Sequence, residues 1–223
     1  GASPGGAGGI TLGINMKLHA EIEGDYDVAC SHSDGLEDPD PVRVHVSHGN
    51  PTRLIAQLSH PQIQAGQGST VTCIAEDKFG NHVPDLPMNL VASDALTVEG
   101  NVLKGTVTGL YPISCVPVGL SWSDFIIEET TLEVIPAAPA TVMLQLQPSK
   151  PVFGATEIIT LHTLVYDAWD NPVPDAPLAP VEVSDDPLGC HVLSSPNTLF
   201  FQKEVFGGTC EGPYTLTVRL LED

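Results

Sequence analysis

The chain repeats itself. Pro51-Thr52-Arg53-Leu54-Ile55-Ala56-Gln57-Leu58 recurs as Pro139-Ala140-Thr141-Val142-Met143-Leu144-Gln145-Leu146. Asp77-Lys78-Phe79-Gly80-Asn81-His82-Val83-Pro84-Asp85 recurs as Asp167-Ala168-Trp169-Asp170-Asn171-Pro172-Val173-Pro174-Asp175. The two opening aspartates, Asp77 and Asp167, are 90 positions apart. A third element, Gly-x-Tyr, stands at Gly24-Asp25-Tyr26, Gly109-Leu110-Tyr111 and Gly212-Pro213-Tyr214. A period of this length limits the fold, because each repeat must be a unit of supersecondary structure the size of one small sandwich domain.

The content of each repeat is β. Gly and Pro are frequent, 21 and 20 among 223 residues, and no 11-residue window shows helical periodicity. Short segments broken by turn residues read as an all-β sandwich. Within a repeat the order is a first strand after the linker, a second strand bearing Val71 and Cys73, the Asp-x-x-Gly-Asn-x-x-Pro-Asp turn, middle strands, the Gly-x-Tyr strand, and a last strand such as Thr131 to Ile135. The linker Pro136-Ala137-Ala138-Pro139 separates repeats, its prolines removing donors and stiffening the joint. The fold class is therefore all-β, with tandem immunoglobulin-like sandwiches. The expected domains are a Gly-rich leader and partial domain (back-half strands) over 1–50, a domain over 51–137, and a domain over 138–223 that lacks an obvious last strand. Both ends fall inside domains, which suits a fragment of a longer array or sandwiches completed by neighbouring chains.

Charge and cysteines narrow the setting. The formal charge is −20, from 28 acidic and 8 basic residues, and such a surface repels phosphate backbones and anionic membranes. No apolar run approaches the ~18 residues of a membrane span. None of the five cysteines forms a CxxC pair, so widely spaced Cys30, Cys73, Cys115, Cys190 and Cys210 read as disulfide partners in an oxidising compartment, extracellular or at the cell surface. The segment Gly1 to Gly9 reads as a flexible leader and not as a signal peptide, which places any export signal upstream.

Three motifs together resemble the bacterial group 1 immunoglobulin-like domains of invasin- and intimin-type surface proteins. They are Ala-Thr-x-x-x-Leu after the linker (Ala140 to Leu144), Asp-x-x-Gly-Asn-x-Val-Pro-Asp (Asp77 to Asp85) and Gly-x-Tyr (Gly109 to Tyr111). The resemblance covers roughly residues 51–223, with Asp170 departing from the motif where the first copy has Gly80. It implies rod-like spacer architecture and names no ligand.

Cys73 in the second strand and Cys115 four residues after Tyr111 face each other across such a sandwich, so a bridge between them is the natural geometry, the alternative being two buried thiols. The equivalent positions in the next repeat are Thr163 and Val218. There Cys190 and Cys210 would pair between middle strands, and Cys30 is left for a partner chain or free. Asp77, Asn81, Asp85, Asp167, Asp170, Asn171 and Asp175 invite a weak calcium reading, yet Asp and Asn also favour turns through side-chain bonds to the backbone, and no metal or other cofactor is expected. Tyr26, Tyr111 and Tyr214 are expected as corner residues with backbone-bonded hydroxyls. Trp122 and Phe125 sit in a loop that could bind a partner or a sugar, or pack on the sandwich edge. Eight histidines show no metal-ligand spacing, and neither Gly-x-Ser-x-Gly nor a phosphate-binding Gly loop occurs. No enzyme is expected.

Apolar residues alternate without a break at Ile10, Leu12, Ile14, Met16, Leu18, Ala20 and Ile22. The segment suits ordinary middle strands, or one intersubunit strand donated to a neighbour. The expected function is a structural or adhesive module of a bacterial surface protein or filament, its partners being subunits of the same type, adjacent immunoglobulin-like domains, and a surface receptor or glycan. The alternative is a non-catalytic carbohydrate- or protein-binding module of a secreted enzyme.

Overall fold

Alternation in the sequence becomes alternation in burial. Leu54 and Ala56, Val71 and Ala75, Ile113 and Cys115, and Leu132 and Val134 are buried every second or fourth residue along their strands, as a pleated strand with one face on a core requires. The computed structural model describes residues 10–12, 17–29, 33–35, 40–150, 152–154, 157–179, 181–185, 191–194, 203–208 and 213–220. Apart from one 3-10 turn at Trp122–Asp124, its regular structure is strand.

The N-terminal part carries β1 (Ile10–Leu12), β2 (Leu18–Ala20), β3 (Gly24–Val28) and β4 (Val42–Val46). The next repeat carries β5 (Pro51–Leu58), β6 (Gln62–Gln64), β7 (Gly68–Asp77), β8 (Met88–Val91), β9 (Leu96–Glu99), β10 (Val102–Gly105), β11 (Gly109–Pro117), β12 (Ile126–Glu128) and β13 (Thr130–Ile135). The last carries β14 (Thr141–Gln147), β15 (Ile158–Tyr166), β16 (Glu182–Ser184), β17 (His191–Ser194), β18 (Lys203–Gly208) and β19 (Thr215–Thr217).

In the repeat that begins at Pro51, one sheet has the order β12-β5-β7-β10-β9 and the other β6-β13-β11-β8. The chain changes sheet between β5 and β6 and again between β12 and β13, so the first and last strands pair in parallel twice, β12 with β5 and β13 with β6. Cys73 of β7 is bonded to Cys115 of β11 with Cα atoms 5.8 Å apart, which ties one sheet to the other. Each fully buried side chain such as Leu54 or Leu103 contributes roughly 1.5–3 kcal/mol of burial.

The last repeat has the sheet β14-β15-β18-β17 and the pair β16-β19, the same order as β5-β7-β10-β9 and β8-β11. Leu144 faces Thr163 across β14 and β15 as Ala56 faces Cys73 across β5 and β7. Its core is Ile159, Leu161 and Val181, with Leu144, Leu146, Phe153, Tyr214, Leu216 and Val218 packed against it. Thr163 is buried, and Val218 joins the core, where the previous repeat has its disulfide. Cys30, Cys190 and Cys210 lie outside the described residues.

The expectation of one long strand over 10–22 requires correction. β1 and β2 are two short strands paired antiparallel, Ile10 opposite Ala20 and Leu12 opposite Leu18. Both arms keep even-numbered positions opposed, so a period of two is the same for one strand as for a hairpin folded on itself, and alternation alone does not reveal the turn. Ile14 and Met16 lie outside the described residues, while Leu18 and Ile22 are exposed.

The chain divides into two compact units, Gly1–Pro61 with Ser69–Leu103 and Leu110–Leu132, and Gln62–Gly68 with Lys104–Gly109 and Glu133–Asp223. The second unit thus includes the turns at 62–68 and 104–109.

Candidate functional site

The nonapeptide repeat builds the same object in each unit. In the first unit the Asp77 carboxylate is buried. Its Oδ1 accepts the N–H groups of Phe79 (2.8 Å) and Asn81 (3.0 Å). Its Oδ2 accepts the N–H of Gly49 (2.8 Å) and the Asn81 side-chain amide (2.8 Å). A carboxylate offers about four lone-pair sites, and all are met by N–H donors. Asn81 then reaches outward. Its Nδ2 donates to the Glu21 carbonyl (2.7 Å), and its Oδ1 accepts the Glu23 N–H (2.9 Å).

The second unit repeats the arrangement bond for bond. Asp167 Oδ1 accepts from the N–H groups of Trp169 and Asn171, each at 2.9 Å. Its Oδ2 accepts from the Ala137 N–H (2.9 Å) and the Asn171 amide (2.8 Å). Asn171 donates to the Thr106 carbonyl (2.8 Å) and accepts from the Thr108 N–H (3.0 Å). The correspondence extends to sequence position. Gly49 and Ala137 each stand two residues before the proline of the repeat, and Glu21 and Thr106 each stand three before the glycine of Gly-x-Tyr. One turn therefore grips the linker with its aspartate and the strand leading into Gly-x-Tyr with its asparagine.

Electrostatics follow from the donors. Burial works against ionisation of Asp77, but the Asn81 amide and the N–H groups of Gly49, Asn81 and Phe79 outweigh it and hold the carboxyl well below the ordinary aspartate range. Asp167 is lowered in the same way, against burial, by Asn171, Ala137 and Trp169. A shell of donors stabilises an anion and presents no free oxygen to a cation. Among the described residues no three His, Cys, Asp or Glu side chains are grouped to hold a metal ion, and the other calcium candidates, Asp85, Asp170 and Asp175, are exposed. Gly80 and Asp170 both take the left-handed conformation, with φ 84° and 63°, so the departure from the motif at Asp170 keeps the backbone shape at some steric cost.

The aromatic residue of the turn adds a contact. The tip of the Trp169 ring lies 2.3 Å from where a Cβ at Gly66 would stand, and Gly66 has φ 84°, so only glycine fits without movement. At the equivalent position Phe79 is 44 % exposed, with the Lys78 ammonium 4.5 Å from its ring centre. This feature of the repeat had a sequence signal, the aromatic two residues after each aspartate, but the glycine beneath it has none.

The remaining candidates separate. The Tyr26 hydroxyl donates to the Ile22 carbonyl at 2.9 Å, a corner contact. Phe125 is not part of a free loop: it packs against Leu54, Ala75 and Val83, because the chain must turn inward there to enter β12. Trp122, on the 3-10 turn, is 56 % exposed, and Val118 and Leu120 nearby are exposed too.

No family model matches this sequence, and no curated protein matches it. Among solved structures, the Escherichia coli adhesin FdeC shares its fold, with a TM-score of 0.53 at 18% identity over 89% of this chain and 69% of that one. Yersinia pseudotuberculosis InvD aligns over 95% of this chain and 70% of that one, at 16% identity and a TM-score of 0.46.

Proposed function

We propose that this chain is a stalk-forming part of a bacterial surface protein or extracellular filament, in which the Asp-Asn turn locks each repeat to the linker and strand before it. The observation that supports this is the duplicated network of six hydrogen bonds, centred once on Asp77 and Asn81 and once on Asp167 and Asn171. A binding pocket needs concavity and groups left to meet a ligand. Here every polar atom of the aspartate is spent on the chain itself, which suits a spacer that must keep its shape. The fold shared with FdeC and the acidic surface fit an extracellular setting, and adhesion is carried over from that protein as part of the proposal. The finer form of this reading is assembly of subunits by strand donation, for which the support is an open sheet edge.

Amide hydrogen exchange tests the lock. Asn81→Ala should abolish protection of the Glu23 N–H and leave that of Thr108 unchanged; Asn171→Ala should do the reverse. Unaltered exchange at both amides in both variants would overturn the proposal.

A second reading, contact with a glycan or a protein receptor, is favoured by the exposed apolar loop of Val118, Leu120 and Trp122. A glycan array with wild type and Trp122→Ala tests it, binding lost in the variant being the supporting result.

A further inference from the structure

Strand β5 is covered on both sides. β7 lies along one edge, and β12 lies along the other in parallel, Ile126 opposite Arg53, Ile127 opposite Leu54 and Glu128 opposite Ile55. Ile127 packs on Leu54 and Ala75, and Arg53 holds Glu128 through Nε and Nη2 at 2.8 and 2.6 Å. Under this cover Leu54 and Ala56 are 0% and 5% exposed.

Strand β14 is the counterpart of β5 in sequence and in register. It has β15 along one edge, and among the described residues no strand along the other. An open groove of about 640 Å³ is present there, lined by Leu144, Gln145, Leu146, Ser149 and Lys150. Val142 and Leu144, which correspond to Leu54 and Ala56, are only half-buried. Met143 is 45% exposed and Val152 75%. Three independent features thus coincide: an unpaired edge, a groove beside it, and apolar side chains that the other repeat covers.

We propose that the edge of β14 is an acceptor for one extended strand running parallel to it. Its occupant is a second copy of the repeat's closing strand, a segment of the Phe125–Ile135 kind carried by another polypeptide chain. The donor would supply backbone groups to the row of N–H and C=O that β14 presents outward, and one inward apolar side chain, in the role of Ile127, to the groove. Parallel direction follows from β12 on β5. The proposal deepens the assembly reading above and rests on it for its biological setting, while strand capture itself is a property of this chain in solution.

The experiment titrates a labelled peptide with the sequence of residues 124–135 into the full chain and maps it by photo-cross-linking. Saturable binding with cross-links to residues 142–150 is expected, weakened about tenfold or more when the peptide carries Ile127→Asp, since burial of one isoleucine is at stake. Because only the peptide is altered, folding of the chain is not at issue. Absence of binding, equal binding of the altered peptide, or cross-links to β5 instead, which would mean displacement of β12, would each overturn the proposal. So would self-association of the chain that Ile14→Asp abolishes while the peptide stays unbound, since the occupant would then be the N-terminal strand of a second copy. Loss of peptide binding with normal protection of Glu23 and Thr108 would sink this inference alone and leave the lock intact.

Discussion

The repeat over 51–137 and the repeat from 139 onward share a turn, a strand order and a register, and differ in how their cores are closed. The first has a covalent tie between its sheets and a strand on each side of β5. The second has Thr163 and Val218 at the positions of the tie, and β14 is covered on one side only among the described residues. What stays the same is the polar network around the aspartate, down to individual acceptor atoms. The core can be closed by any sufficient set of contacts, since burial is non-directional. The turn cannot vary in that way, because four donors must converge on one carboxylate with fixed geometry. The comparison teaches that the polar turn is the rigid element of this design and the sandwich interior the adaptable one.

The largest test of this difference is removal of the disulfide. Cys73→Ala with Cys115→Ala should cost about 3–4 kcal/mol for a loop of this size, and only in the first repeat. Each repeat holds one tryptophan, Trp122 and Trp169, so single-tryptophan variants report on each separately. The denaturation midpoint seen by Trp122 should fall and that seen by Trp169 should stay. Equal shifts at both would show that the repeats unfold as one.

Next comes the element held in common. Asp77→Ala should destabilise by about 2–3 kcal/mol, because it leaves buried N–H groups without an acceptor, and Asp167→Ala should match it. The acid dependence has a definite sign. A carboxyl lowered in the folded state contributes its stability fully above the unfolded value near 3.9, and loses it as pH falls below that value toward the lower folded one. Wild type should therefore weaken on acidification below about pH 4 more steeply than Asp77→Asn, as read by urea midpoints from pH 6 to 2. Parallel pH profiles would break the assignment.

Smaller effects sharpen the comparison within the turn. Asp170→Gly should stabilise the second repeat by roughly 1 kcal/mol and Gly80→Asp should destabilise the first by a similar amount, both through the left-handed backbone. Thermal midpoints of the two variants moving in the same direction would contradict this. The smallest effect is expected for Gly49→Ala. A Cβ there would meet Asp77 Oδ2 at 3.2 Å, but Ala137 occupies the matching position and still donates at 2.9 Å. A change under about 0.5 kcal/mol should follow.

The repeat, the all-β class, the pairing of Cys73 with Cys115 and the turn character of the Asp-Asn motif are all legible in the residues themselves. Each is a matter of local chemistry or of periodicity: Asp and Asn bend the chain onto their own backbone, and alternation sets which face of a strand is buried. The hairpin of β1 and β2 was not legible, because folding an alternating segment back on itself leaves its period unchanged. Nor was the destination of Asn81 and Asn171. Their amides meet Glu21, Glu23, Thr106 and Thr108, residues about 60 positions away with no motif of their own, since a backbone N–H or C=O can be supplied by any residue type. The same holds for Phe125, which packs inward only because β12 must reach the edge of β5. Local propensity and pattern are written in side-chain identity. Contacts made through the backbone of distant segments are decided by how the sheets come together, and only the tertiary structure records them.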